Sequence, residues 1–297
     1  MLRLPPLAAL VLLFSSIGPS VAEVVPLIAQ CQQFFLQNNP PEIPGILVGG
    51  NILNQNRYKP ICQTLASTVT FVTLYDITNK IPVFSAYKYN GISLVPRPKT
   101  IWKIEPQLEN PNNNANMRKD NGGVYNNQAG TKDYNNQQGF DRGHLLPSCY
   151  GFSQDDKKST FTLTNIVPQV DTFNQGSWSN MENCVKCIMD LYCVNNNGVT
   201  EGYVVIGAQP GNNFLKNKMN IPSMLWSAFC CYSHSQGMWI ASAYLGDNIP
   251  NQPVHLPTQT LTYLTSQLGS VPFPASQCPP MTVVTHLYPT VAPQCQC

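Results

Sequence analysis

Residues 140–147 read Phe140-Asp141-Arg142-Gly143-His144-Leu145-Leu146-Pro147, and thirty positions past His144 comes Asn174-Gln175-Gly176-Ser177-Trp178, followed by Glu182. An imidazole, a guanidinium, a neutral oxygen ligand and a carboxylate are the parts needed to cut a phosphodiester with one hard metal ion. Hydrolysis requires a water to lose a proton as it attacks, and a histidine near its ordinary pKa of about 6.5 suits that task. Gly143 is expected to let the backbone approach a substrate without a Cβ in the way. Arg142 offers a planar fork that matches a phosphate. Mg²⁺ keeps several of its waters, so it can sit on one protein oxygen, that of Asn174, with Glu182 holding the waters from outside.

Outward from this cluster the pattern is mixed. Upstream, Thr68–Tyr75 and Ile81–Tyr89 are β-branched and aromatic runs joined by Asp76–Lys80, a hairpin signal, and Lys99–Ile104 reads as a further short strand. Residues 107–139 are dense in Asn, Gln and Gly and poor in apolar groups, and are read as a mobile loop. Downstream, Trp178, Met181, Val185, Ile188, Met189 and Tyr192 recur at helical steps between Asn174 and Cys193. Tyr203–Ala208, Trp226–Tyr232 and Met238–Leu245 read as buried strands, and His255–Leu268 as a surface helix ended by Gly269. Strands and helices without βαβ alternation predict an α+β domain.

Composition sets the compartment. Met1 to Ala22 has one early cation, Arg3, an apolar run from Leu7 to Phe14 and a small-x-small ending, as in a secretory signal peptide. Eleven cysteines fit export to an oxidising compartment, and the odd count leaves one free or intermolecular. Cys149, five residues from His144, is expected to be bridged, with a free thiol as the alternative, and Cys184-x-x-Cys187 to serve disulfides rather than zinc. A net charge of +2 with 11% charged residues excludes a strongly basic field as the basis for nucleic-acid binding. No later segment is long and apolar enough to span a bilayer. The expected layout is a signal peptide at 1–22, a cysteine-containing lead-in at 23–64, the main domain at 65–270 and a Pro/Cys-rich tail at 271–297.

Asp141-Arg142-Gly143-His144, then Thr164-Asn165-Ile166-Val167-Pro168-Gln169, then Asn174-Gln175-Gly176-Ser177-Trp178 and Glu182 resemble the signature of the DNA/RNA non-specific endonucleases of the ββα-metal superfamily. Pro96-Arg97-Pro98, Trp102-Lys103 and Glu105-Pro106 resemble the strand before that family's active site. Cys31-Gln32-Gln33-Phe34-Phe35 and Cys62-Gln63 are most similar to its secreted endonuclease domain-containing 1 branch. The resemblance implies a disulfide-bonded ββα-metal core that cleaves DNA and RNA. It makes His144 the general base, Asn174 the direct ligand of Mg²⁺ or Mn²⁺, and Glu182 an outer anchor, with Asn165 and Arg142 supporting. The family supplies an arginine two residues before the aromatic of the upstream strand; here that position is Thr100, so Arg97 or Lys99 must stabilise the charged phosphate.

Arg142, Arg118 and Lys119 are the candidate nucleic-acid contacts, with Lys132 on the same Asn-rich tract. The substrate partners implied are DNA and RNA, with no membrane; a homodimer and other protein partners stay open. Two other classes compete: a secreted nucleic-acid-binding or immune-effector protein that kept the fold and lost turnover, motivated by Thr100, and a disulfide-rich structural protein in which the motif is accidental.

Overall fold

The computed structural model describes residues 23–135, 139–287 and 295; the signal segment expected over 1–22 lies outside them. Strands β1 (Tyr58–Leu65), β2 (Thr68–Asp76) and β3 (Ile81–Tyr89) form an antiparallel meander. The β2–β3 hairpin is the one expected, and Asp76 holds its turn by accepting from the amides of Thr78 and Asn79 at 2.9 and 3.1 Å. The chain then leaves the sheet for a separate ribbon, β4 (Phe140–His144) paired antiparallel with β5 (Ile166–Val170). Helix α1 (Ser179–Tyr192) follows, and the chain returns through β6 (Gly202–Gln209), β7 (Met224–Ser233) and β8 (Met238–Asp247). The completed sheet has six antiparallel strands in the order β8-β7-β6-β3-β2-β1. The architecture is α+β.

Helix α1 turns Met181, Cys184, Val185, Ile188 and Met189 into the core, the three- and four-residue recurrence visible in the sequence. Burying side chains of this size contributes about 1.5–3 kcal/mol each relative to exposure, so the stripe dictates which face of the helix meets the sheet. Glu182 lies at the edge of that stripe, one position along from Met181, and stays half-buried. Helix α2 (Leu261–Leu268) is shorter than expected. Gln259 is tied in an antiparallel bridge to Ala243 on β8, so the helix starts only after Thr260, whose hydroxyl accepts from the Tyr263 amide at 3.0 Å.

The Asn-rich stretch over 107–139 is organised rather than a plain loop, apart from 136–138, which lie outside the described residues. It holds short helices at Pro106–Glu109 and Thr131–Tyr134, and Arg118–Lys119 pairs with Lys103–Ile104, the only part of the expected Lys99–Ile104 strand that forms. Polar side chains supply the order. Asp120 accepts from the Gly122 and Thr131 amides and the Tyr125 hydroxyl, and Gln128 exchanges two 2.8 Å hydrogen bonds with the Glu105 main chain. Tyr125, Ala129 and Tyr134 pack with Ile104, Leu163, Ile166, Leu215 and Met219 in a second small core, which offsets the ordering entropy.

Disulfides join Cys31 to Cys62, Cys187 to Cys295, Cys193 to Cys231 and Cys230 to Cys278. Cys184 is also disulfide-bonded, so the Cys184-x-x-Cys187 pair holds no zinc. Cys149 is free, contrary to expectation. No helix among the described residues is long and apolar enough to cross a membrane.

Candidate active site

Strand β4, the Pro147–Cys149 turn, the start of α1 and the 97–102 segment enclose a cavity of about 260 Å³. Arg97, Thr100, Arg142, His144, Asn174 and Glu182 all line it, together with Trp102, Cys149 and Phe161. The two sequence clusters, thirty residues apart, therefore meet in one place.

His144 sits at the end of β4, opposite Ile166 on β5. Its ring packs beside two aromatics that also touch each other: its centroid is 5.7 Å from Trp102 and 5.0 Å from Phe161, the latter edge-on, and those two rings are 5.5 Å apart. Arg97 stands over Phe161 at 5.4 Å and Arg142 over Trp102 at 5.3 Å. The three rings thus form a triangular cluster, with a guanidinium over each of the two aromatics that accompany the imidazole. Burial, and then the Arg97 charge, push the His144 pKa down to about 3. The neutral ring is the form a general base needs, and its Nε2 is enclosed without a hydrogen-bond partner.

Asn174 opens a π-helical turn, Asn174–Trp178, before α1; Gly176 within it takes φ −100° and ψ −112°. Such single-turn insertions re-aim side chains and recur at functional sites. The eight-residue step from Asn174 to Glu182 is therefore not that of one regular helix. Asp141 Oδ2 accepts from Asn174 Nδ2 and from Gln175 Nε2, both at 2.8 Å. A carboxylate only accepts, so this contact determines which end of the Asn174 amide is the oxygen and leaves Oδ1 for another partner. Burial pushes Glu182 up to about 8, with Arg97 and the Trp178 indole pulling the other way. Burial also pushes the Cys149 thiol up to about 12, so it is a poor nucleophile.

Gly143 serves a different purpose from the one expected. It is buried opposite Val167, and a Cβ there would stand 2.1 Å from Gln169 Oε1 and 2.5 Å from Gln169 Cβ. Close packing inside the β4–β5 ribbon, not substrate access, excludes a side chain.

Other expected residues lie elsewhere. Asn165 is fully buried and off the cavity: its Oδ1 accepts from Ser85 Oγ and the Leu146 amide, and its Nδ2 donates to the Leu146 and Thr160 carbonyls, all within 2.8–3.0 Å. With every amide position engaged, it holds the chain just past His144 and has nothing left for a substrate. Arg118 and Lys119 are exposed on their own short ladder, and Lys99 and Lys132 also lie off the cavity lining. Trp102 and Phe161 were not singled out as site residues; Phe161 carries no local signal, because only the fold brings it beside His144. Asp141 was legible as the carboxylate of the Asp-Arg-Gly-His stretch.

The residues present suit a hard cation. Among the described residues no three His, Cys, Asp or Glu side chains converge as a metal-binding group, so the donors on offer are oxygens, the free Asn174 Oδ1 and the Glu182 carboxyl. That sparse set fits an ion that retains its waters.

The sequence profile of the DNA/RNA non-specific endonuclease family matches residues 49–270. The chain belongs to that family. The endonuclease domain-containing 1 protein of Homo sapiens is 28% identical over 214 residues, covering 68% of this chain and 39% of that protein. A nuclease of Nostoc sp. is 30% identical over 126 residues, covering 39% and 42%. Mitochondrial endonuclease G of Bos taurus is 40% identical over 55 residues, 18% of each chain. The chain thus covers less than half the length of each of these relatives. A crystal structure of the EndoG/EndoGI complex matches 68% of this chain and 82% of that chain at 17% identity, with a TM-score of 0.48.

Proposed function

We propose that this member of the non-specific endonuclease family is an exported, divalent-metal-dependent hydrolase that cleaves the phosphodiester bonds of DNA and RNA without sequence preference. The observation that carries the reading is the His144 imidazole, its Nε2 enclosed and unpartnered, in a cavity shared with Asn174, Glu182, Arg97 and Arg142; burial there favours its neutral form. His144 Nε2 takes the proton of the attacking water. Trp102 and Phe161 hold the ring plane and keep water from solvating it. Arg97 fills the role left open by Thr100: of the two candidate cations it is Arg97, not Lys99, that lines the cavity, and it brings a fork to the phosphate. Asn174 Oδ1 would hold Mg²⁺ or Mn²⁺, with Glu182 anchoring its waters; the bound cation would stabilise charge on the phosphate and leaving oxygens. Backbone rather than base contacts make the reading sequence-independent. All these groups come from one chain, so dimerisation is not required. Export is supported by the disulfides and the expected signal segment.

Plasmid nicking by the oxidised protein, with and without Mg²⁺, beside His144→Ala, tests this. Metal-dependent cleavage that falls roughly 10²–10⁴-fold in the variant is expected. A folded wild type that binds DNA and cleaves nothing under Mg²⁺ or Mn²⁺ would establish instead the binding-protein reading that Thr100 motivates.

A further inference from the structure

Arg142 owes its place to a feature outside the cavity. Its Nη2 donates to the Thr131 carbonyl at 3.3 Å and to Asn135 Oδ1 at 2.9 Å, and its guanidinium lies 5.6 Å from the Tyr134 ring. Those contacts all come from the four-residue helix Thr131–Tyr134 and the residue after it. Arg142 Nε is left enclosed and without a partner, and the residue lines the cavity. Four residues make too short a helix to hold itself in water.

A small hairpin holds it. Strands Asn213–Leu215 and Met219–Ile221 pair antiparallel, and Leu215 and Met219 pack with Tyr134 in the second core. Lys216 Nζ donates to the Lys132 and Asn135 carbonyls at 2.8 and 3.0 Å, at the C-terminal end of the short helix, where a cation is favoured. Lys218 Nζ meets Asp133 Oδ2 at 2.6 Å, and the same oxygen accepts from the Gly130 amide at 2.7 Å at the other end. The hairpin turns through Lys216 and Asn217 at φ 50° and 53°, the left-handed pair that a type I′ turn requires, closed by the Lys218 amide donating to the Leu215 carbonyl at 3.0 Å.

We infer that Lys216, seconded by Lys218, is a positioning residue for Arg142: the hairpin clamps the Thr131–Asn135 segment, which in turn sets the guanidinium against Trp102 and holds it in the cavity for the scissile phosphate. The inference rests on the nuclease reading for its consequence, but the clamp itself does not depend on it. A lysine acting through Arg142 differs from one that touches DNA directly, since only the former loses its effect when the fork is gone.

The test is a double-mutant cycle on the full oxidised protein. Lys216→Met is expected to lower kcat on plasmid DNA roughly ten- to a hundredfold with KM little changed, Lys216→Arg to restore it, and Lys216→Met to add nothing in an Arg142→Lys background. Asn135→Ala removes the acceptor without touching the hairpin and should reproduce the same loss, which covers the case in which Lys216→Met does not fold. An effect on KM and salt dependence that persists in Arg142→Lys would overturn the clamp in favour of a direct phosphate contact, and so would an unchanged kcat. Trp102 emission, isolated by difference from Trp102→Phe, gives a readout without turnover. It should shift in Lys216→Met and not in the Arg142→Lys double variant. A shift without any cleavage by the wild type would refute the nuclease reading and keep the clamp; cleavage without a shift would do the reverse.

Discussion

At the scale of single residues, the environment of His144 has a consequence for pH. Its pKa is pushed down to about 3 by burial and by Arg97, so the ring stays neutral, and competent as a base, well below the ordinary imidazole value of about 6.5. The acid limb of kcat/KM is therefore expected below pH 6, and a midpoint near 6.5 would rule out His144 as a desolvated base. Stability follows the same sign. Above about pH 6.5 neither folded nor unfolded chain is protonated at this group; as pH falls from there towards 3 the unfolded chain binds the proton first and the fold weakens. His144→Ala should flatten that part of the stability profile in thermal melts. Asp141 yields a second expectation. Asp141→Ala frees the Asn174 amide to rotate, and the metal concentration for half-maximal activity should rise roughly 10–100-fold; an unchanged metal requirement would show that Asp141 does not orient the ligand.

At the scale of elements, the β4–β5 ribbon and the π-turn before α1 build the site. Gly143→Ala should destabilise the protein by about 1–3 kcal/mol as an overpacked core does, measured by denaturant midpoint, because the new methyl meets the buried Gln169 side chain at 2.1 Å. A neutral outcome would mean that Gln169 swings aside at no cost. The sequence pattern was a good guide to strands β2 and β3 and to the apolar stripe of α1, where local periodicity and burial agree. It misjudged the described part of residues 107–139, because Asn, Gln and Asp side chains close hydrogen bonds there that composition does not reveal. It also read Asn174 to Cys193 as one helix, since a π-turn leaves the downstream apolar repeat intact.

At the scale of the whole molecule, the disulfides bind distant segments to the sheet and to the helix that presents Glu182. The Cys187–Cys295 bridge joins positions 108 residues apart and ties Cys295 to α1. Its removal by Cys187→Ser with Cys295→Ser should cost about 2–5 kcal/mol of stability, while activity at low temperature persists, because neither sulfur lines the cavity. Equal loss of activity and stability would mean that the bridge also sets the orientation of α1.

The sequence by itself picked out the candidate residues His144, Asn174 and Glu182, since they are chemical types at characteristic spacings. It also determined the α+β class and the family, through local periodicity and motif. Only the tertiary structure decided that Arg97 rather than Lys99 reaches the cavity, that Asn165 is spent on internal hydrogen bonds, that Trp102 and Phe161 cluster beside the imidazole, and that Gly143 answers to Gln169. Those are facts of side-chain packing between segments far apart in the chain, and no local pattern encodes which neighbour will arrive or how much space it will leave.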